Sequence, residues 1–125
     1  MNTLYGINNC DTVKKSQKWL LKNNIDFQFY DFKKQPLTAS LLEQFVSLSD
    51  WDVLLNKRST TFRNLPDAIK ENLTDKVIFE AVLEQPTLLK RPLLLVQADN
   101  ASSTNNIDVL HLGFKDAQYQ VIFDL

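Results

Sequence analysis

The first 32 residues alternate between two hydrophobic periods, and this alternation constrains the fold more than any other feature. Residues 2–7, "NTLYGI", have the β-branched and aromatic character of a short strand. In 25–32, "IDFQFYDF", the apolar residues Ile25, Phe27 and Phe29 recur at every second position. The run from Asp11 to Asn23 between them has helical spacing. A strand–helix–strand unit implies a right-handed crossover and a parallel pair of strands.

The first helix is predicted to carry one apolar face, with Trp19 to one side of it. The residues expected on that face are Val13, Gln17, Leu20 and Leu21. Lys14, Lys18 and Lys22 recur every fourth residue and form a cationic stripe, most simply a solvated face.

The middle of the chain has the features of a helical block, at about 37–85. Either Thr38 or Ser40 can cap its first helix, and Ser40 with Glu43 fits a capping box. Residues 50–73 predict short helices and turns. Thr74 is expected to cap a clearer helix that ends before Pro86.

The last third returns to strands. The apolar run 91–96, "RPLLLV", predicts a buried central strand, and 107–114, "IDVLHLGF", predicts a strand that pairs back as a hairpin across a polar loop. Residues 115–125 are long enough for a final helix of about three turns. The predicted order, β-α-β, then a helical block, then β-β-α, indicates an α/β fold, and without a linker or repeat we expect one domain over 1–125.

Composition excludes several function classes. A net charge of −1 gives no field that would attract nucleic acid or an anionic membrane. No apolar stretch approaches the roughly 20 residues that span a bilayer, and the start of the chain has no secretory pattern. A single cysteine provides no internal disulfide and no zinc pattern, so we expect a reducing, cytoplasmic location, no metal and no tightly bound cofactor.

That single cysteine, Cys10, falls where the first strand passes into the first helix. Unpaired amides and the positive end of the helix dipole favour a thiolate there, and Asn8, Asn9 and Thr12 offer further donors. Free cysteines are also among the most buried residues, so an inert structural role stays open beside a nucleophilic one.

If Cys10 is a nucleophile, an external thiol has to resolve any disulfide that it forms, because the chain holds no other cysteine. The one histidine, His111, lies in a predicted strand and is expected to be structural rather than the base of a Cys–His pair. Anionic substrates call for arginine, and the candidates are Arg58 and Arg91, with Arg63 more simply a surface residue. Whether the bond between Arg91 and Pro92 is cis is not decided by the residues alone.

Three segments together resemble the ArsC-type arsenate reductase family, which includes the Spx regulators. They are 4–20, "LYGINNCDTVKKSQKWL", 54–65, "LLNKRSTTFRNL", and 85–96, "QPTLLKRPLLLV". The resemblance is strongest to the YffB-like branch, described as glutathione-dependent thiol reductases. It implies a thioredoxin-like fold with an inserted helical block, Cys10 as nucleophile, and Arg91 with a cis Pro92 facing it.

The chain departs from the family pattern at two positions where arsenate reductases carry arginine. Asn56 and Phe114 stand there, with Arg58 two residues after the first. Each lost guanidinium removes roughly 1.5–3 kcal/mol of charge-assisted hydrogen bonding to an oxyanion.

The departures favour a glutathione-linked thiol reductase, with Cys10 and Arg91 catalytic. The expected substrate- and anion-binding residues are Asn8, Asn9, Thr12, Arg58 and Pro92. One alternative is an arsenate reductase coupled to glutathione and glutaredoxin. A non-enzymatic alternative is a Spx-like regulator that binds RNA polymerase, although Val13 replaces the second cysteine of the CxxC sensor found in many such regulators.

Overall fold

The computed structural model describes residues 2–98 and 107–125. These residues form two compact units, one from Met1–Gln35 and Arg91–Leu125 and the other from Pro36–Lys90. Most of the polar loop predicted between the last two strands falls on 99–106 and lies outside the described residues. The single-domain organisation over 1–125 stays a prediction.

The first unit contains a four-stranded sheet in the order β2-β1-β3-β4 within the described residues. Its strands are β1 (Asn2–Gly6), β2 (Gln28–Asp31), β3 (Leu93–Val96) and β4 (Val109–Leu112). β1 pairs in parallel with β2, whereas β3 is antiparallel to both β1 and β4. The predicted crossover pair, the buried central strand and the late hairpin are all confirmed.

Helix α1 (Asp11–Lys22) connects the parallel strands. Its buried residues are Val13, Ser16 and Leu20, while Leu21 is 67% exposed. The prediction that Leu21 belongs to the apolar face is therefore wrong. At 100° per residue, Leu20 and Leu21 point in different directions, and the sheet covers only the side that carries Leu20.

A hydrophobic core with several aromatic rings, called the aromatic cluster below, packs between the sheet, α1 and the last helix. Its buried members are Leu4, Leu20, Leu94, Val96, Tyr119 and Phe123. Tyr119 comes from α7 (Asp116–Ile122), and its hydroxyl lies 2.7 Å from Ser16 Oγ on α1. Burial raises the pKa of Tyr119 to about 12, against the smaller opposing effect of the hydrogen bond with Ser16.

Several elements are shorter than their sequence patterns predict: β3 spans Leu93–Val96 of the expected 91–96, and β4 spans Val109–Leu112 of the expected 107–114. β2 begins only at Gln28, because the segment before it ends α1: Asn24 has φ of 57°, and the Ile25 amide donates to the Leu20 carbonyl at 2.9 Å. α7 has seven residues instead of about three turns, and Asp124 beyond it has φ of 56°. A left-handed residue ends a helix regardless of the apolar pattern around it.

The second unit is the predicted helical block. It contains α2 (Ala39–Leu48), α3 (Trp51–Leu54), α4 (Thr60–Arg63), α5 (Asp67–Lys70), α6 (Asp75–Glu84) and a 3₁₀ turn, Pro86–Leu88. Thr38 caps α2, accepting from the Leu41 amide at 3.1 Å, so the Ser40 capping box does not form. The predicted cap of α6 is confirmed, since Thr74 Oγ1 accepts from the Val77 amide.

None of the described helices is long and apolar enough to cross a membrane.

Candidate functional site

One edge of the sheet collects the loops that carry the predicted site. Tyr5 pairs with Leu93, which pairs with Leu112, so β1 and β4 end at the edge where β3 begins. β2 ends there too, because its last residue, Asp31, is level with Gly6. Ligands of open α/β sheets gather at the carboxyl ends of strands.

Cys10 lies at this edge as the N-cap residue of α1, with φ of −91° and ψ of 125°. Its amide donates to the Ile7 carbonyl at 3.2 Å and closes a turn, and its carbonyl accepts from the Lys14 amide at 3.0 Å. The thiol is half-buried, and within the described residues it makes no capping hydrogen bond to α1. The first amides of a helix lack intrahelical partners and carry the positive end of the dipole, so the position suits an anion.

The polar residues expected around Cys10 are its immediate neighbours. Asn8 and Asn9 are exposed in the turn before it, and Thr12 is half-buried in the first helical turn. Asp11, exposed at the start of α1, adds a carboxylate beside these neutral side chains. Asparagine and threonine supply neutral donors there, and their binding role stays a prediction.

Arg91 and Pro92 precede β3 at the same edge. The peptide bond between them is cis, as the resemblance implied. Because Tyr5 is opposite Leu93 in an antiparallel pair, Pro92 falls level with Gly6, the last residue of β1 before the cysteine loop. Arg91 is half-buried, with its Nε buried, and Pro92 is buried. The sheet thus brings the loops of Cys10 and Arg91 to one edge.

Arg58 lies in the other unit, exposed, between α3 and α4. Its amide donates to Asn56 Oδ1 at 3.1 Å. Asn56 also accepts, through its carbonyl, from the Ser59 hydroxyl at 2.8 Å, and Ser59 caps α4. Asn56 therefore serves as a turn former, a role that its short amide suits. The anion-binding role of Arg58 stays a prediction.

Phe114, the second departure from the family pattern, packs in the aromatic cluster. Its ring lies edge-on to Tyr119 with centroids 4.7 Å apart. Phe114 therefore contributes packing at the position where the resemblance to arsenate reductases implies a guanidinium.

The structure adds a cavity that the sequence pattern did not predict. It has a volume of about 400 Å³ and is lined by Asn8, Phe29, Asp31, Lys34 and Gln35. Asp31 is 7% exposed, and its Oδ1 accepts from the Lys33 amide at 2.9 Å. The sequence does contain a sign of this cavity. Phe27, Phe29 and Asp31 point to the same face of the strand, so Asp31 places a carboxylate where the alternation predicts an apolar residue.

Two further features bear on the chemistry. His111 lies on β4 opposite Leu94, and burial lowers the pKa of its imidazole. Among residues 2–98 and 107–125, no three His, Cys, Asp or Glu side chains cluster in a way that could hold a metal ion.

Comparison with known proteins gives the family and the fold. Residues 5–122 match the ArsC family. An uncharacterized protein of Haemophilus influenzae is 40% identical, covering 98% of this chain and 99% of its own. The regulatory protein MgsR of Bacillus subtilis is 30% identical, covering 94% of each chain.

The solved structure of the YFFB protein is 31% identical, covers 98% of this chain and 99% of its own, and superposes with a TM-score of 0.82. The sheet and helices described above therefore adopt the thioredoxin-like α/β fold of that group. This chain belongs to the ArsC family.

Proposed function

We propose that this protein is a cytoplasmic, glutathione-linked thiol reductase in which Cys10 is the nucleophile. The observation that carries the proposal is the place of Cys10 as the N-cap of α1, at the sheet edge where Arg91 and the cis Pro92 lead into β3. Membership of the ArsC family supports a reductase.

The reaction needs no metal and no tightly bound cofactor. The Cys10 thiolate attacks the glutathione sulfur of a mixed disulfide between glutathione and a small substrate. A bond forms between the two sulfurs, the old disulfide breaks, and the substrate leaves as a thiolate that takes a proton from water. A second glutathione thiolate then attacks the disulfide on Cys10, which releases glutathione disulfide and regenerates the Cys10 thiolate. The sulfur of the incoming glutathione is oxidised and the substrate sulfur is reduced, while the glutathione sulfur of the original mixed disulfide stays at the disulfide level.

The binding residues follow from the site. Arg91 would hold a carboxylate of the substrate or of glutathione, with Arg58 as a second candidate. Asn8, Asn9, Thr12 and the first amides of α1 would bind the anionic sulfur and nearby carbonyls. Pro92 would form the wall opposite Cys10. Glutaredoxin is an alternative source of the resolving thiol in place of free glutathione.

Arsenate is a poorer substrate for this arrangement. Asn56 is engaged in a turn that leads into α4, and Phe114 packs on Tyr119, so neither position supplies charge to an oxyanion. At roughly 1.5–3 kcal/mol for each hydrogen bond to a charged group, two missing guanidiniums remove several kcal/mol of binding. Turnover of arsenate with glutathione and glutaredoxin, at a rate matching that on mixed disulfides, would favour the arsenate reductase alternative.

The similarity to MgsR supports a second candidate, a regulator that binds RNA polymerase. Against redox sensing of the CxxC type, position 13 holds a valine that is completely buried. Recovery of polymerase subunits with the tagged protein, at a fixed stoichiometry, would support the regulator.

The decisive test compares wild type with Cys10→Ser in reduction of a glutathionylated peptide. We expect wild type to accumulate a glutathione adduct on Cys10, visible by mass spectrometry, and Cys10→Ser to lose both adduct and activity. Arg91→Lys should raise KM for the peptide, whereas Arg63→Lys, an exposed arginine outside the proposed site, should not. Full activity in Cys10→Ser would end the proposal.

A further inference from the structure

The cavity beside the cysteine loop has charges of both signs on its walls. Asp31 supplies a carboxylate that is more than nine-tenths buried, and Lys34 supplies an exposed ammonium. Within the described residues these two side chains form no ion pair with each other. Neither charge is therefore neutralised by the other.

The backbone holds the two charged residues in a compact turn. The Asp31 carbonyl accepts from the amides of Lys34 and Gln35, at 2.9 and 2.8 Å. Asp31 Oδ1 uses one of its acceptor sites on the Lys33 amide, and an ionised carboxylate offers about four such sites. Acceptor capacity thus remains on Asp31 for a donor inside the cavity.

The uncharged walls complete the chemistry. Phe29 presents an aromatic surface, and Asn8 and Gln35 present amides that both donate and accept. A ligand with an ammonium and a carboxylate on one carbon, followed by a short methylene chain, would meet an opposite charge or an amide at each polar group. The Asp31 carboxylate would repel a simple anion and would have no ligand group to bind.

We propose that this cavity binds the zwitterionic amino-acid head group of a thiol co-substrate of the γ-glutamyl class. Asp31 takes the ammonium, Lys34 takes the carboxylate, and Phe29 packs on the methylenes. The inference rests on the proposed function, because it identifies what the site recognises in its thiol.

The chain connects this cavity to the reacting sulfur. Asn8 lines the cavity and lies two residues before Cys10, so their Cα atoms are no more than about 7 Å apart. In a γ-glutamylcysteine unit, seven bonds separate the amino-acid carbon from the sulfur, which is roughly 8 Å when extended. An extended γ-glutamylcysteine unit is therefore long enough to span from the cavity wall at Asn8 to the neighbourhood of Cys10.

The test uses S-methylglutathione, a thioether that binds but cannot exchange disulfides, titrated by calorimetry. Wild type should bind it at least about tenfold more tightly than its N-acetyl derivative, which lacks the ammonium charge. Asp31→Asn should lose that preference. Lys34→Met should weaken binding about tenfold, whereas Lys33→Met, the neighbouring exposed lysine outside the cavity lining, should bind as wild type.

Equal affinity of wild type for the two thioethers, or equal effects of Lys34→Met and Lys33→Met, would overturn the inference. If Asp31→Asn does not fold, these two comparisons still decide it. Cys10→Ser should bind S-methylglutathione as wild type does, since no sulfur chemistry is involved. If Cys10→Ser stays active while binding depends on the ammonium group, the proposed reductase function is refuted and the proposed head-group site stands. If Cys10→Ser is inactive but binding does not depend on the ammonium group, the reductase function stands and the head-group site is refuted.

Discussion

Gly6→Ala tests how closely α1 must approach the sheet to place Cys10. A Cβ on Gly6 would lie 2.8 Å from Cγ2 and 3.3 Å from Cγ1 of Val13. Val13 is completely buried and lies in the first turn of α1, three residues after Cys10, so it has no solvent to move into. A steric conflict at this point pushes the start of the helix away from β1.

The expected cost combines two opposing effects. Overpacking a filled core costs typically 1–3 kcal/mol, about 2 in the middle of the range. Replacing glycine by alanine also restricts the unfolded chain and returns about 0.4–1 kcal/mol. The free energy of unfolding should therefore fall by about 1–2 kcal/mol, or roughly 4–8 °C in Tm at about 4 °C per kcal/mol.

Gly113→Ala is the matched control, because it makes the same change where a Cβ meets nothing within 4 Å. Its φ of 75° imposes a backbone cost of about 1–2 kcal/mol that does not involve Val13. Combining each variant with Val13→Ala, which removes both Cγ atoms, separates the two mechanisms in a double-mutant cycle.

Urea denaturation of the six proteins gives the coupling energies. We expect Gly6→Ala and Val13→Ala together to cost about 1–2 kcal/mol less than the sum of the single changes, and Gly113→Ala with Val13→Ala to be additive within about 0.5 kcal/mol. Additivity for the Gly6 pair would refute the close approach as the reason for glycine at position 6.

Three further predictions concern titration and helix capping. The pKa of Tyr119 is raised to about 12, against 10.0 in the unfolded chain, so its contribution to the free energy of unfolding is complete below pH 10. That contribution should fall by about 2–3 kcal/mol as the pH rises to 12. Urea titrations should show a shallower fall in the free energy of unfolding for Tyr119→Phe. Burial lowers the pKa of His111 from 6.5, so stability should decline as pH falls below about 6.5, and His111→Gln should flatten that decline in thermal scans. Thr38→Ala should destabilise by about 1 kcal/mol in chemical denaturation, whereas Ser40→Ala, one residue inside α2, should change stability by less than about 0.5 kcal/mol.

The candidate site shows where prediction from sequence stopped. The place of Cys10 before a helix could be predicted, because strand and helix periods and their junction are local properties. The cavity containing Asp31 could not, because it depends on how β2 registers beside β1 and on the turn that brings Lys34 and Gln35 back. Strand register depends on contacts between residues far apart in sequence. A pattern of apolar residues limits the registers that are allowed, but it does not specify which loops come together.

The sequence by itself determined the order of elements, the position of the lone cysteine and the family pattern, including the absence of arginine at Asn56 and Phe114. Only the tertiary structure decided what those two residues do instead, one in a turn and the other in the aromatic cluster. It also decided that Leu21 faces solvent. Hydrophobic periodicity is a property of residues close together in sequence, whereas the role of a side chain depends on which residues the folded chain packs against it.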